Sequence, residues 1–299
     1  MQNIHSIEIV GAGLAGLLAG NMFRHSPHRI YEAQNALPNN HSAVLRFRTP
    51  IVGDTLGIDF KKVTLIKTAA SWNNAVADAL AYSFKNTGTY RSDRSITAGT
   101  VVDERWVAPP DLIARMSKGL NIEYNHLYNF HDRAPPIIST VPMPTLMKAL
   151  GYYKIPKFVS HPGVNMHAKI ANCEAYVSLL VPDPESPISR ISITGDELIV
   201  ECVGMNEPEV APRTAGLLGL PLSAFKDITY HQQRYAKIAP IDDELRKQFM
   251  FWATDKFGIF SLGRFATWRP KLLMDDLVQD VRKIARWIND RYEMVRERR

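Results

Sequence analysis

"IEIVGAGLAGLLAG" spans Ile7–Gly20, close behind the start methionine. Three structures compete for such a run: the apolar core of a secretory signal, an ordinary buried helix, or the phosphate-gripping turn of a dinucleotide-binding fold. A signal needs a basic leader and a small-residue cleavage site. The residues ahead of the run carry no Lys or Arg, and Glu8 interrupts the apolar stretch. What fits is a short β-rich run, Ile7–Val10, followed by Gly11-Ala12-Gly13-Leu14-Ala15-Gly16 and a helix-compatible run to Phe23. In that strand–turn–helix context the first glycine permits the tight turn and the second lets a pyrophosphate approach the backbone. The third lets helix and strand pack closely. Unpaired N–H groups at the helix start then hold the phosphates.

A second β-rich run, "HRIYEA", places Glu32 21 positions after Gly11 and Ala33 just behind it. An acidic side chain there meets ribose hydroxyls. It argues against a 2′-phosphorylated ribose, but FAD and NAD both carry the free hydroxyl, so this stretch leaves the two open. Gly20 adds another small residue on the helix face.

The bulk numbers bound the rest. The chain has 299 residues, 45% hydrophobic and 22% charged, a size that suits two modest domains or one with a large insertion. No stretch approaches the roughly 20 consecutive apolar residues of a membrane helix. The expectation is a cytoplasmic protein without a membrane partner. Cys173 and Cys202 form no metal spacing and no disulfide framework, which fits buried thiols in a reducing compartment, and no metal site is expected. The net charge is +6, partly from the tail "RKIARWINDRYEMVRERR" (Arg282–Arg299). Cations there suit the negative end of a helix, and a basic balance is also compatible with a nucleic-acid partner.

Along the chain, Ala69–Ala81 reads as a helix, as do "PPDLIARMSKGL" and "PTLMKALGY". "AYVSLLVPD", "SRISITGD" and "ELIVECVGM" are β-rich runs broken by turn residues, which points to an antiparallel sheet. "ITYHQQRYAKIAP" and "FGIFSL" return to strand character. Met274–Arg298 is a long amphipathic helix with Leu277, Val281, Ile284, Ala285 and Ile288 at helical spacing. The fold class expected is α/β: a Rossmann-like dinucleotide-binding domain, FAD-binding or NAD-binding, with an inserted α+β substrate domain containing an antiparallel sheet. The first would comprise residues 1–45, 110–155 and 236–299. Residues 46–109 and 156–235 would form the substrate domain.

At "GIFSLGRFATWRPKLLMDDLVQDVRKI" (Gly258–Ile284) the chain resembles the FAD-dependent family of amine oxidases, protoporphyrinogen oxidase and UDP-galactopyranose mutase. In that family a strand ends in Gly-Arg and a following helix points its N-terminus at the flavin, whose reduced form carries negative charge. The resemblance covers about half the chain and implies FAD rather than NAD. It implies contacts from Gly263, Arg264, Met274, Asp275 and Leu277. "PIISTVP", with Ser139 and Thr140, resembles the strand leading to the flavin, and "NIEYNHLY" the one whose backbone reads adenine, near Leu127. Arg46 or Arg48 would meet the pyrophosphate, or serve as a loop arginine.

Flavin carries the hard chemistry, so the protein must orient a substrate. Lys237 and His231 are the candidates for catalysis, with Arg264 holding an anionic substrate or the cofactor phosphate. Tyr235 and Trp268 are candidate cavity walls, with core packing as the alternative. Three functions compete. The first is oxidation of an amine or amino-acid C–N bond in a small molecule. The second is a mutase-like activity on a nucleotide sugar, although the mutase family's "GPH" loop is missing. The third is flavin chemistry on an amino-acid-modified base in DNA, as in small phage flavoproteins. A non-catalytic FAD-stabilised module is a fourth. Oligomeric state is not legible.

Overall fold

The computed structural model describes residues 6–37, 44–70, 75–90, 99–131, 136–203 and 207–297. The first half contains β1 (Ile7–Val10), α1 (Leu14–Met22), β2 (His28–Tyr31), β3 (Arg46–Phe47), α2 (Ile51–Leu56), β4 (Lys61–Ala69) and α3 (Ala75–Thr87). Then come β5 (Val101–Val107), α4 (Leu112–Ser117), β6 (Ile122–Glu123), β7 (Ile137–Ser139) and α5 (Met143–Ala149). The second half contains β8 (Ser160–Ile170), β9 (Ala175–Leu180), β10 (Ile188–Gly195), β11 (Glu197–Val203) and α6 (Glu207–Leu218). It closes with β12 (Phe225–Ile238), α7 (Asp243–Phe257), β13 (Ile259–Ser261) and α8 (Met274–Glu297).

Two sheets organise these elements. The first is parallel, in the order β13-β7-β1-β2-β6. Its strands β1, β7 and β13 are short and largely apolar because both faces are covered there. Leu17, Leu18, Leu112, Val278 and Val281 pack in a core with Ile7 and Ile9. Val10, Ile137, Ile259, Met143 and Phe249 belong to another. Glu8, the one charge in β1, accepts hydrogen bonds from Tyr31 (3.3 Å) and Tyr128. The order reverses between β1 and β7, and in doubly wound sheets the ligand crevice lies at the carboxyl ends of the strands flanking such a reversal.

The second sheet runs β12-β8-β11-β10-β9-β4-β5-β3. As expected, β9, β10 and β11 pair antiparallel, and the sheet as a whole is mixed because β4 joins β9 in parallel. A correction concerns Ala69–Ala81. Ala69 ends β4, whose alternating Lys61-Lys62-Val63-Thr64-Leu65 suits a half-buried strand, and the helix spans Ala75–Thr87. Small residues of good helix propensity led the sequence reading too far upstream, where tertiary pairing wins.

The two faces of this second sheet differ in chemistry. One packs Met166, Leu179, Ile191, Val200 and Cys202 against Val210 and Ala215 of α6. The other carries polar side chains. A bulge in β10 makes this possible: Ile188 pairs with Cys202, but Arg190 pairs with Glu201, so one residue is extra. Two residues apart in an unbroken strand, Ile188 and Arg190 would share a face. The extra residue lets Ile188 enter the apolar core while Arg190 points away from it. The sheet curls, so that Arg46 at one edge donates to the carbonyls of Val177 (3.0 Å) and Ile193 (3.2 Å) in β9 and β10. Helix α3 packs against β8 and β12, and Lys85 ties it down by donating to four backbone carbonyls, those of Val181, Asp183, Ser186 and Ile188.

Helix α8 buries Leu277, Val281, Ile284 and Ile288 on one face, as its spacing requires. Ile284→Ala should therefore destabilise the protein by about 2–4 kcal/mol in denaturant unfolding. The exposed neighbour Lys283→Ala should change it by less than about 0.5 kcal/mol.

Candidate active site

The turn between β1 and α1 is built by close approach. Gly11 adopts φ +97°, and a Cβ there would lie 2.1 Å from Thr140 Oγ1. A Cβ on Gly16 would lie 1.9 Å from the Gly11 carbonyl oxygen. Gly13 is different: a Cβ there meets nothing within 4 Å. Gly13 caps α1 without a side-chain hydrogen bond, and the first intrahelical bond runs from Leu17 N–H to Gly13 O (2.9 Å). Leu14, Ala15 and Gly16 therefore present first-turn amides that need no intrahelical partner. Two glycines are required by packing and one faces open space, which is the division expected if a pyrophosphate lies over Gly13.

Glu32 follows β2 and accepts from the Ala12 amide (2.7 Å) and the Gln34 amide (2.9 Å). Those bonds fix a carboxylate beside the turn and leave acceptor capacity on both oxygens. The Leu127 run lies next to it: the His126 amide donates to Glu32 O (2.9 Å), and Leu127 is 88% exposed. Ala33 is exposed on the same rim. Across the crevice, Thr140 donates to Val10 O through both its amide and its hydroxyl, and Ser139 is fully buried.

The segment after β13 abuts the same turn. Gly263 has φ +101°, and a Cβ on it would come 3.1 Å from the Ala15 Cβ. Thr267 closes the loop by donating to Gly263 O from its amide (2.9 Å) and hydroxyl (2.7 Å). At the start of α8, Asp275 accepts from the Arg48 and Thr49 amides and the Thr49 hydroxyl, and Arg48 pairs with Asp276 at 3.7 Å. Met274 is half-buried and Leu277 buried in the adjoining core. The structure thus brings Arg48, Met274 and Asp275 together, whereas Arg46 reaches into the second sheet.

A cleft opens beyond Gly263. It is lined by Arg264 and Lys271 from the loop, Lys237 from the end of β12, and Tyr82, Ser83 and Asn86 from α3. Two of the three residues singled out for catalysis, Lys237 and Arg264, meet there. The third does not. His231 packs edge-on against His167 at 4.7 Å. It precedes Lys237 by six residues, on the order of 20 Å along a strand. Trp268 is 1% exposed, donates to Ala239 O (2.8 Å) and packs against Phe158 within the core. The side chain of Tyr235 lies outside the described residues.

Lys237 belongs to a buried ion network that the sequence reading missed. Its ammonium pairs with Glu201 at 2.5 Å, and Glu201 also pairs with Arg190. Burial opposes ionisation of Glu201, but the adjacent Arg190 and Lys237 cations prevail and hold its carboxyl well below the usual range. Arg46 lies near enough to feel Arg190 and Arg105, and burial with those neighbours pushes it down to about 9. A signal for the Arg190–Glu201 pair exists in the sequence: a hairpin turn at Gly195-Asp196 sets these positions nearly opposite. Glu201 is ionised in the fold below its unfolded value, so its contribution is complete above about pH 4.5 and is lost as pH falls. Glu201→Gln should cost about 3–5 kcal/mol near neutrality. The difference from the unmodified protein should shrink in acid denaturation series below about pH 4.5.

The sequence matches no family model and no curated protein sequence. Solved structures do share its fold. An oxidoreductase from Methanosarcina mazei aligns with a TM-score of 0.56 at 10% identity, covering 94% of this chain and 100% of the other. The tetrameric 2-methyl-3-hydroxypyridine-5-carboxylic acid oxygenase aligns at 0.51 and 11% identity, over 89% of this chain and 79% of that one. MibH, a tryptophan 5-halogenase, aligns at 0.54 and 11% identity, over 96% and 66%. None of these three is named as an amine oxidase, protoporphyrinogen oxidase or mutase, so the likeness is one of fold. Among the described residues no helix is long and apolar enough to cross a membrane.

Proposed function

We propose that this chain is an FAD-dependent oxidoreductase that oxidises the C–N bond of an amine or amino acid held in the cleft beneath α3. The observation that carries this is continuity. A Cβ on Gly13 would meet nothing within 4 Å, Gly263 packs on Ala15 of the same helical turn, and the next residue, Arg264, lines the cleft. The residues fit the adenosine and pyrophosphate half of FAD. Gly13, Leu14 and Ala15 would receive the phosphates, with Gly11 and Gly16 shaping the turn. Glu32 would take the ribose, and the Ala33 and Leu127 rims would flank the adenine. Ser139, Thr140, Gly263, Arg48, Met274, Asp275 and Leu277 would support the remainder, the last through packing.

Bound flavin supplies a hydride acceptor at N5. The residues of the chain have three tasks. Tyr82 and Asn86 roof the cleft and exclude water. Lys237 and Arg264 place positive charge beside a bound amine, which disfavours its ammonium form and keeps the nitrogen lone pair free to assist loss of hydride from the adjacent carbon. Arg264 also offers a planar donor pair for an anionic group.

The purified protein should carry a flavin absorbance. Amino acids or amines should bleach it without oxygen, and readmitted air should restore it with release of peroxide. Protein that is colourless and cannot be reconstituted with FAD would contradict the proposal. Activity only after pre-reduction would favour the mutase chemistry, and bleaching only by an amine attached to DNA would favour the modified-base substrate. Gly13→Val is the sharper probe. Its side chain enters open space, so the loss of stability should not exceed about 1 kcal/mol, while FAD should be lost. Gly16→Ala must instead move backbone and should cost about 3 kcal/mol or more.

A further inference from the structure

On the polar face of the second sheet several cations crowd one carboxylate. Arg190 and Lys237 share one carboxylate, Glu201, and Arg46 adds a third cation whose hydrogen bonds among the described residues go to backbone carbonyls. Lys237 and Glu201 side chains are each only 13% exposed. Buried cations in excess of their anions are costly unless a counter-charge is supplied. Asp103 does not supply it, since Lys67 and Arg105 already converge on that carboxylate.

A second observation points at the same place. Tyr82 lines the cleft, is 4% exposed, and its hydroxyl makes no hydrogen bond among the described residues. The same holds for Arg190 Nε and Ser192 Oγ on the sheet face, and Tyr82 lies within electrostatic reach of Arg190. Buried donors of this kind are normally satisfied. Of these groups Tyr82 lines the cleft beside Lys237, so an anionic oxygen entering there would meet a hydroxyl and an ammonium together.

We infer that the substrate is an amine bearing a carboxylate, an amino acid rather than a simple amine or polyamine. Its carboxylate would be held between the Tyr82 hydroxyl and the Arg190–Lys237 cations, with Arg264 at the mouth of the cleft. A polyamine would bring further positive charge to a site that already has too much. The name of the ligand rests on the C–N oxidation proposed above, whereas carboxylate binding can be read by stability alone, so the two fail separately.

The test uses the protein as purified, with acetate and benzoate as small and large carboxylates, methylamine and benzylamine as matched cations, and inorganic phosphate. Carboxylates should raise Tm and perturb any bound flavin spectrum, and the amines should do neither. Tyr82→Phe should leave Tm unchanged or higher without ligand, because the hydroxyl it removes has no partner. It should weaken carboxylate binding about tenfold, as loss of one hydrogen bond to a charged group predicts. Binding of the amines in preference, stronger binding of phosphate, no binding at all, or wild-type affinity in Tyr82→Phe would each overturn the assignment. Carboxylate binding without bleaching by amino acids would leave the anion socket standing and remove the C–N oxidation.

Discussion

The structure depends on the contact between the Gly16 position of α1 and the Gly11 carbonyl. No side chain fits there, and with none present the helix begins directly on the end of β1. That approach fixes α1 over the first sheet and aims its amides into the crevice between β1 and β7. Thr140 secures the turn from the other side through its bonds to Val10. Gly263 then packs on the first turn of the helix, so the last strand is positioned by the first. At Gly16 backbone approaches backbone, whereas at Gly11 and Gly263 the side chains of Thr140 and Ala15 occupy the space a Cβ would need.

The side chains of the parallel sheet are largely spent on two cores, which leaves the backbone amides of the β1–α1 turn as its polar feature at the crevice. Specific chemistry has to come from the second sheet. There one apolar face is closed by α6, and the opposite face can hold charge because α3 covers it and bulged β10 turns Arg190 away from the core. The cleft lies where that face meets the Gly263 loop. The β1–α1 turn, the Gly263 loop and the polar face adjoin one another, although they come from the beginning, the end and the middle of the chain.

This distribution decides what was legible in the sequence. The β1–α1 turn could be read because its constraints are local, and α8 because its apolar residues repeat at helical spacing. The β10–β11 hairpin was legible from its turn. Helix α3 was misplaced because Ala69 and Ala70 have helical propensity but Ala69 pairs with Leu180 in β9. Lys237 could be picked out only by resemblance, and its partner Glu201 follows from strand register that crosses β8. Tyr82 had no signal, since nothing in an amphipathic helix marks which hydroxyl will lack a partner. His231 and Trp268 show the reverse difficulty. Residue type nominated them, while strand length separates one from the cleft and packing commits the other to the core.

The central claim is that a dinucleotide lies over Gly13 and leads into the cleft. A crystal structure of the protein with FAD tests it most directly. The account predicts pyrophosphate oxygens within hydrogen-bond distance of the Leu14 and Ala15 amides, a ribose hydroxyl on Glu32, and the isoalloxazine between Gly263 and Lys237. Density for the nucleotide elsewhere, with the space over Gly13 filled by protein, would contradict it.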